Sequence, residues 1–209
     1  IICRTTEISN DDLVCENCWH SFPPADEADQ ITANLKLLFK DQCFFERAFS
    51  LWEFSPNVQQ IIHLLKYSEY DSLGKKIGQF MAAKMTKFNL PYNQSILIPV
   101  PLHSTRKRER GYNQSAIICR TIADLTGIEY NENILTRIRY TETQTRLSVK
   151  DRFKNVQNAF QVIRSDKIRD KLVILIDDVL TTGATMNACA SELKQSGARK
   201  IYLFSAVKP

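Results

Sequence analysis

Apolar positions along this chain follow two periods, and the clearest block is Val173-Ile174-Leu175-Ile176. An unbroken apolar run rich in Val and Ile predicts a strand buried on both faces, as in a parallel sheet covered by helices. It runs straight into Asp177-Asp178 and then into Val179-Leu180-Thr181-Thr182-Gly183-Ala184-Thr185. From Met186 the apolar positions recur at helical spacing through Cys189, Ala190 and Leu193, and Gly197 supplies the stop. Ile96-Leu97-Ile98 and Ile201 to Val207 read as further strands of the same sheet. Helical stripes fall at Val58, Ile61, Ile62 and Leu65 behind Ser55-Pro56, at Leu73, Ile77, Phe80, Met81 and Met85, and from about Tyr112 to Leu125 ahead of Gly127. A shorter helix is predicted over 31–41, with Leu35 and Leu38 on one face, and Phe44 to Phe54 alternates loosely, as an edge strand or hairpin would. Ile134 to Arg139 and Ala159 to Ile163 predict two strands joined by a long polar loop. Strands alternating with helices give an α/β fold, a parallel central sheet flanked by helices.

The chemistry gathers where the strand 173–176 gives way to a helix, because ligands of open α/β sheets bind beyond the carboxyl ends of the strands. Backbone N–H groups of Thr182 to Thr185 open that helix, so they present unpaired donors and a positive dipole end to an anion. Gly183 allows close approach of the backbone, and Thr181, Thr182 and Thr185 add hydroxyl donors. A phosphate monoester suits them. Asp177 and Asp178, when ionised, only accept hydrogen bonds, so they suit hydroxyls or a hydrated cation. Together the two groups describe a ribose 5-phosphate site. No Gly-Lys-Ser/Thr follows, so the loop is not a nucleotide P-loop.

These residues resemble the phosphoribosyl-pyrophosphate (PRPP) motif of type I phosphoribosyltransferases, and within that family the chain resembles the ComF-type competence proteins. The likeness runs through an ordered series: Cys pairs at the start, Leu65-Lys66-Tyr67, Pro99-Val100-Pro101-Leu102-His103, Arg108-Glu109-Arg110-Gly111-Tyr112-Asn113-Gln114, Thr143-Gln144-Thr145, Asp151-Arg152 with Asn155, and the acidic pair. The resemblance implies a loop after the strand 96–98 that receives pyrophosphate, which makes Leu102, His103 and Ser104 expected contacts. His103 otherwise reads as an exposed loop histidine. Lys66 is implied near the pyrophosphate, or is a cation closing a helix C-terminus. Arg106-Lys107-Arg108-Glu109-Arg110 lies beside that loop, so Arg106, Arg108 and Arg110 are expected to neutralise the pyrophosphate. A solvated face or a nucleic-acid backbone are the other readings of the run. The polar loop 140–158 is implied to be a lid over the sugar, with Arg152 its charge contact, and lids keep water from the reacting carbon. The family further implies Mg2+ bound mainly through the ligand and water. It implies either phosphoribosyl transfer to an unidentified acceptor or a non-catalytic role in DNA uptake, binding phosphoribose or single-stranded DNA and partnering a cytoplasmic DNA-translocating ATPase.

Composition narrows this only a little. At 209 residues the chain allows one good-sized domain with a small appendage. A net charge of +5 suits phosphorylated ligands or nucleic acid. No apolar run approaches the roughly 18 residues of a membrane span and no signal peptide pattern is visible, so a cytoplasmic protein is expected. Cys15-x-x-Cys18 has the spacing of half a zinc knuckle, and a short stretch with little to bury gains most from a metal. Cys3, Cys15 and Cys18 are the expected ligands of a structural Zn2+, with a redox dithiol as the other reading. The family's second Cys pair would place a Cys immediately before Ile1, and within the chain Cys43 and His20 are the candidate fourth ligands. Cys119 and Cys189 read as small core residues. The expected organisation is a zinc-ribbon-like Cys module over 1–24, a connecting segment or hood over 25–54, and a phosphoribosyltransferase domain over 55–209.

Overall fold

The computed structural model describes residues 13–67, 70–141 and 149–208, with the backbone alone for 149–152. Its centre is the predicted strand, β6 (Leu172–Val179), which pairs in parallel with β2 (Ser95–Pro99) on one side and β7 (Lys200–Lys208) on the other. β1 (Arg47–Glu53) and β3 (Glu129–Tyr130) close the edges, giving the order β1-β7-β6-β2-β3 with every pairing parallel. This is the α/β arrangement that the apolar runs predict. The alternating stretch 44–54 is therefore an edge strand and not a hairpin. It brings the segment 25–54 into the sheet, where Arg47 faces Tyr202 and Trp52 faces Val207.

Helices cover both faces. One face carries α1 (Glu16–His20), α3 (Pro56–Tyr67), α4 (Asp71–Met85) and α6 (Gln114–Thr126), whose buried residues pack with Leu97, Ile174, Ile176 and Phe204. Gly74 and Gly78 set the spacing of α4 on α6: a Cβ at Gly78 would meet Thr121 Cβ at 2.6 Å, and one at Gly74 would meet Ile117 Cγ2 at 2.8 Å. The other face carries α2 (Ala28–Phe39) and α8 (Ala184–Gln195), packed with Ile96, Ile98, Val173, Leu175 and Leu203. α2 buries Ile31, Leu35 and Phe39 and leaves Leu38 half exposed, so the stripe runs one position away from the expected Leu35–Leu38 face. Thr32 ties it to the edge strand, since its hydroxyl donates to Ala28 O at 2.6 Å and accepts from Ala48 N at 2.9 Å.

The pair expected over 134–139 and 159–163 forms a separate antiparallel ribbon, β4 (Leu135–Arg137) with β5 (Phe160–Val162). The connection between them includes α7 (Val149–Val156), which a reading of that stretch as polar loop does not anticipate. Thr143 to Ser148 lie outside the described residues. A short helix, α5 (Ser104–Arg110), follows β2 and ends at Gly111 with φ of 78°. Among the described residues, no helix is long and apolar enough to cross a membrane.

Candidate ligand site

The site assembles at the carboxyl ends of β2 and β6, where Asp177 and Asp178 are among the last residues of the strand and not in the loop beyond it. Asp178 is buried, and Lys66 reaches it from the end of α3, Nζ to Oδ2 at 2.6 Å. Burial alone raises a carboxyl's pKa. For Asp178 burial is outweighed by the charge and hydrogen bond of Lys66, with Arg110 adding to them, and the group is held below the ordinary range. Asp177 goes the other way: burial, then the charge of Asp178, push it well above. Its Oδ1 accepts from Ser115 Oγ at 3.0 Å and from the amide of Asp178 at 2.9 Å. The two acids are thus unlike: one is an anion matched by a lysine, the other holds its proton more readily.

Lys66 itself is fixed by its helix. Tyr112 donates its hydroxyl to Leu65 O, and Arg110 lies over the Tyr67 ring at 5.2 Å. The Leu65-Lys66-Tyr67 triplet is stitched to the segment 110–112 and to the acidic pair, so Lys66 is more than a cation closing a helix.

The loop after β6 turns into α8 through Gly183, whose φ of 73° is the left-handed region that glycine enters at least cost. Among the described residues, the N–H groups of Thr181, Thr182 and Gly183 meet no protein acceptor, while Ala184 N reaches Thr182 Oγ1 at 3.4 Å. Thr181 is exposed, Thr182, Gly183 and Ala184 are buried, and Thr185 is half-buried. One wall of the loop is α2: a Cβ on Gly183 would stand 3.1 Å from Leu35 Cδ2 and 3.3 Å from Phe39 Cε2. These loop amides lead into the start of a twelve-residue helix, and such a start is an anion-binding end.

The loop 99–104 is rigid for reasons beyond its prolines. Val100 N donates to Ile176 O at 2.9 Å, and Val100 O accepts from Asn113 Nδ2 at 3.1 Å. His103 caps α5, its Nδ1 accepting from Thr105 N at 3.2 Å, so that nitrogen is engaged with the protein. Leu102 is half-buried and Ser104 exposed. The basic run folds as α5 and divides by face. Arg106 and Arg110, one turn apart, turn inward: Arg106 Nη2 donates to Thr141 O at 3.2 Å, and Arg110 Nη1 donates to Gln114 Oε1 at 3.2 Å. Lys107 and Arg108 are exposed, on the solvated side. The side chain of Arg152 lies outside the described residues; its backbone belongs to α7.

Of the expected zinc ligands, Cys3 lies outside the described residues. Cys15 caps α1 and Cys18 sits in its only full turn, packed against the cluster that holds Trp19, Phe22 and Trp52. Cys43 packs with the cluster on the opposite face of the sheet, its Sγ 3.5 Å from Phe45 O, so it does not accompany that pair. His20 points at Glu16 and Phe80. Among the described residues no three His, Cys, Asp or Glu side chains gather as a metal site. Cys119 and Cys189 are fully buried, as small core residues are.

Four residues at or beside the site were given no role by the sequence, although Asn113 falls within the quoted series 108–114. Ser115 and Asn113 stand at the start of α6, and Asn113 Oδ1 accepts from Ser115 N at 3.1 Å. Asn187 on α8 accepts from Phe44 N at 3.0 Å and donates to Gln42 O at 2.8 Å. Arg137 ends β4 beside the loop 99–104, in an isolated bridge with His103. Asn113 and Ser115 sit where an N-cap is expected, a signal the sequence carries. The other two depend on contacts across the fold.

A family model described as "Phosphoribosyl transferase domain" matches residues 120–208. The DNA utilization protein YhgH of Salmonella typhimurium is 29% identical over 166 residues, which are 77% of this chain and 71% of that protein. Competence protein F of Haemophilus influenzae is 35% identical over 113 residues, 54% of this chain and 49% of the relative. Competence protein ComFC of Streptococcus pneumoniae is 28% identical over 137 residues, 65% and 56% respectively. Among solved structures, the glutamine PRPP amidotransferase of B. subtilis is 18% identical with a TM-score of 0.46, over 68% of this chain and 30% of that one. A hypoxanthine phosphoribosyltransferase of Staphylococcus aureus is 14% identical with a TM-score of 0.41, over 70% of each chain. Likenesses as loose as these two add nothing to the topology described above.

Proposed function

This chain is a ComF-like member of the type I phosphoribosyltransferase family, and from that premise we propose that it binds PRPP with Mg2+ and transfers the phosphoribosyl group to an acceptor. The supporting observation is the end of β6: an acidic pair braced by Lys66, followed by a loop in which the amides of Thr181, Thr182 and Gly183 meet no acceptor among the described residues. In this reading the 5-phosphate lies on Thr181 to Thr185 and the ring hydroxyls meet Asp177 and Asp178. The pyrophosphate lies between the loop 99–104, the inward face of α5 and Lys66. Leu102, His103 and Ser104 line it, Arg106 and Arg110 neutralise it, and Arg152 closes over it.

The donor set fits a cation held chiefly by its ligand. Asp178 Oδ2 already faces an ammonium and Asp177 Oδ1 already accepts two hydrogen bonds, so no cage of carboxylates is ready for a bare ion. Mg2+ keeps its waters and takes few protein ligands, and when bound it offsets charge on the pyrophosphate. The protein's own part is electrostatic. As the bond from the ribose carbon to pyrophosphate breaks, positive charge grows on the ring, and the fixed anion of Asp178 lies where that charge is lowered. Lys66, Arg106 and Arg110 take up the negative charge that leaves. Asp177, with its raised pKa, is the group able to hold a proton at the site.

The names of the relatives carry the proposal further, to a role in the uptake or use of DNA. The exposed Lys107 and Arg108 on α5 favour a second reading in the same cell function, a non-catalytic protein that binds single-stranded DNA and docks a translocating ATPase. For the amino-terminal segment we propose a structural Zn2+ on Cys3, Cys15 and Cys18. The transferase reading is tested by incubating the protein with PRPP, Mg2+ and a panel of acceptors and following pyrophosphate release, with Asp177→Asn/Asp178→Asn as control. Release that depends on an acceptor and on both acids supports it. No release with any acceptor, together with salt-sensitive DNA binding that survives the double change, favours the second reading.

A further inference from the structure

Arg137 is a guanidinium beside the site that the proposed chemistry has not used. It projects from the last position of β4, where its backbone bridges His103, so it stands alongside the loop 99–104 at the carboxyl end of the sheet. Its guanidinium packs over Phe160 at 5.3 Å and donates through Nη2 to the buried hydroxyl of Thr141. Nε is sealed from solvent and, among the described residues, finds no acceptor. Among the described residues no carboxylate forms an ion pair with it.

The neighbours make this more pointed. Arg106 holds the same residue, Thr141, through its carbonyl, which brings a second cation alongside. Arg139 spends its guanidinium on the carbonyls of Asn155 and Gln157, at 3.0 and 2.6 Å. The acid whose charge reaches Arg137 is Asp177, already occupied by Ser115 and the Asp178 amide. Burial first, and then the charge of Arg106, push the Arg137 pKa below arginine's ordinary value. A half-buried cation without a counter-ion destabilises a fold unless an anion completes it. Arginine presents a planar fork suited to phosphate oxygens.

We propose that Arg137 is a built-in anchor for the pyrophosphate group of the sugar substrate, held in place by Thr141 and Phe160 before the ligand arrives. The inference rests on the PRPP reading and names a contact that the motifs do not. It separates the two ends of the ligand: pyrophosphate and PRPP need Arg137, whereas ribose 5-phosphate, held by the loop 181–185, does not.

Calorimetry on the whole protein with Mg2+ tests this using PRPP, inorganic pyrophosphate and ribose 5-phosphate, against wild type, Arg137→Met and Arg137→Lys. Losing a charge-assisted hydrogen bond weakens binding about ten- to a hundredfold. That loss is expected for PRPP and pyrophosphate in Arg137→Met, with ribose 5-phosphate unchanged and partial recovery in Arg137→Lys. Thermal unfolding without ligand guards against a purely structural role. The anchor predicts a midpoint for Arg137→Met equal to or above wild type, because an unmatched charge is gone. A midpoint that drops, with all three ligands weakened alike, overturns the inference. PRPP binding that Arg137→Met leaves intact overturns it too, while leaving the PRPP reading standing. Arg137-dependent pyrophosphate binding by a protein that takes no PRPP supports the anchor and removes the reading.

Discussion

Lys66→Met removes the cation that sits 2.6 Å from Asp178 Oδ2. The two side chains are only 24% and 6% exposed, so this is no screened surface bridge of about 0–1 kcal/mol. Stripping one partner from a buried pair costs about 3–5 kcal/mol. Here a ceiling applies, because Asp178 can take up a proton instead of remaining charged. From an unfolded pKa of about 3.9, protonation costs about 4 kcal/mol at pH 7 and about 1.5 kcal/mol at pH 5, at about 1.36 kcal/mol per pH unit. Arg110 also acts on Asp178 and lowers the figure somewhat. In the wild type the Asp178 pKa is depressed, so its stabilisation is present above about pH 3.9 and is lost as pH falls through its lowered folded value. In the variant burial, no longer outweighed by Lys66, raises it, so stability should increase as pH falls from 7 to 5. The expected penalty is about 2–4 kcal/mol at pH 7 and no more than about 1.5 kcal/mol at pH 5. Urea unfolding followed by the fluorescence of the buried Trp19 and Trp52 reads it at each pH. Adding Asp178→Asn should recover most of the loss at pH 7. A penalty that is equal at both pH values, or that the second change leaves untouched, refutes the reasoning.

Gly183→Ala combines a left-handed φ of 73° with a Cβ 3.1 Å from Leu35 Cδ2, so it should cost about 1–2 kcal/mol in the same unfolding assay. It should also weaken ribose 5-phosphate binding, since α2 has to shift at the mouth of the loop. Asn187→Ala leaves Phe44 N and Gln42 O without the partners they have at 3.0 and 2.8 Å, and should destabilise by about 1–3 kcal/mol. Faster hydrogen exchange at the Phe44 amide, with β6 amides unchanged, checks that the effect is local. For the amino-terminal segment, elemental analysis of purified protein should find zinc that Cys15→Ser/Cys18→Ser loses. A chelator should then lower the wild-type unfolding midpoint, and metal-free protein with an unchanged midpoint contradicts the assignment.

The sheet was legible because its central strands are buried on both faces and so read as plain apolar runs: 96–98, 173–176 and 201–207 all fall within β2, β6 and β7. Helices with a broad apolar stripe were legible too. Leu38 misled the reading of α2, because an apolar residue is permitted at the surface whereas the buried stripe there continues to Phe39. The helix α7 was hidden because its sequence is mostly polar, with Phe153 and Val156 packing into the core. At the site, the acids and the Thr/Gly loop stood out since they are contiguous. That Asp177 and Asp178 would differ was not legible, because the difference is made by burial together with Lys66 and Arg110, which arrive from two other elements. His103 shows the converse: its type suggested a phosphate contact, while one of its nitrogens serves the helix it precedes. Arg137 carried no local signal, as its meaning lies in what surrounds it and what does not.

The central claim is that the end of β6 grips a phosphorylated, pyrophosphate-bearing sugar, and a calorimetric titration of the whole protein with PRPP and Mg2+ meets it head on. The account predicts saturable binding to a single site that disappears in Asp177→Asn/Asp178→Asn while the double variant stays folded. No heat of binding from the wild type, or undiminished binding by the double variant, would contradict it.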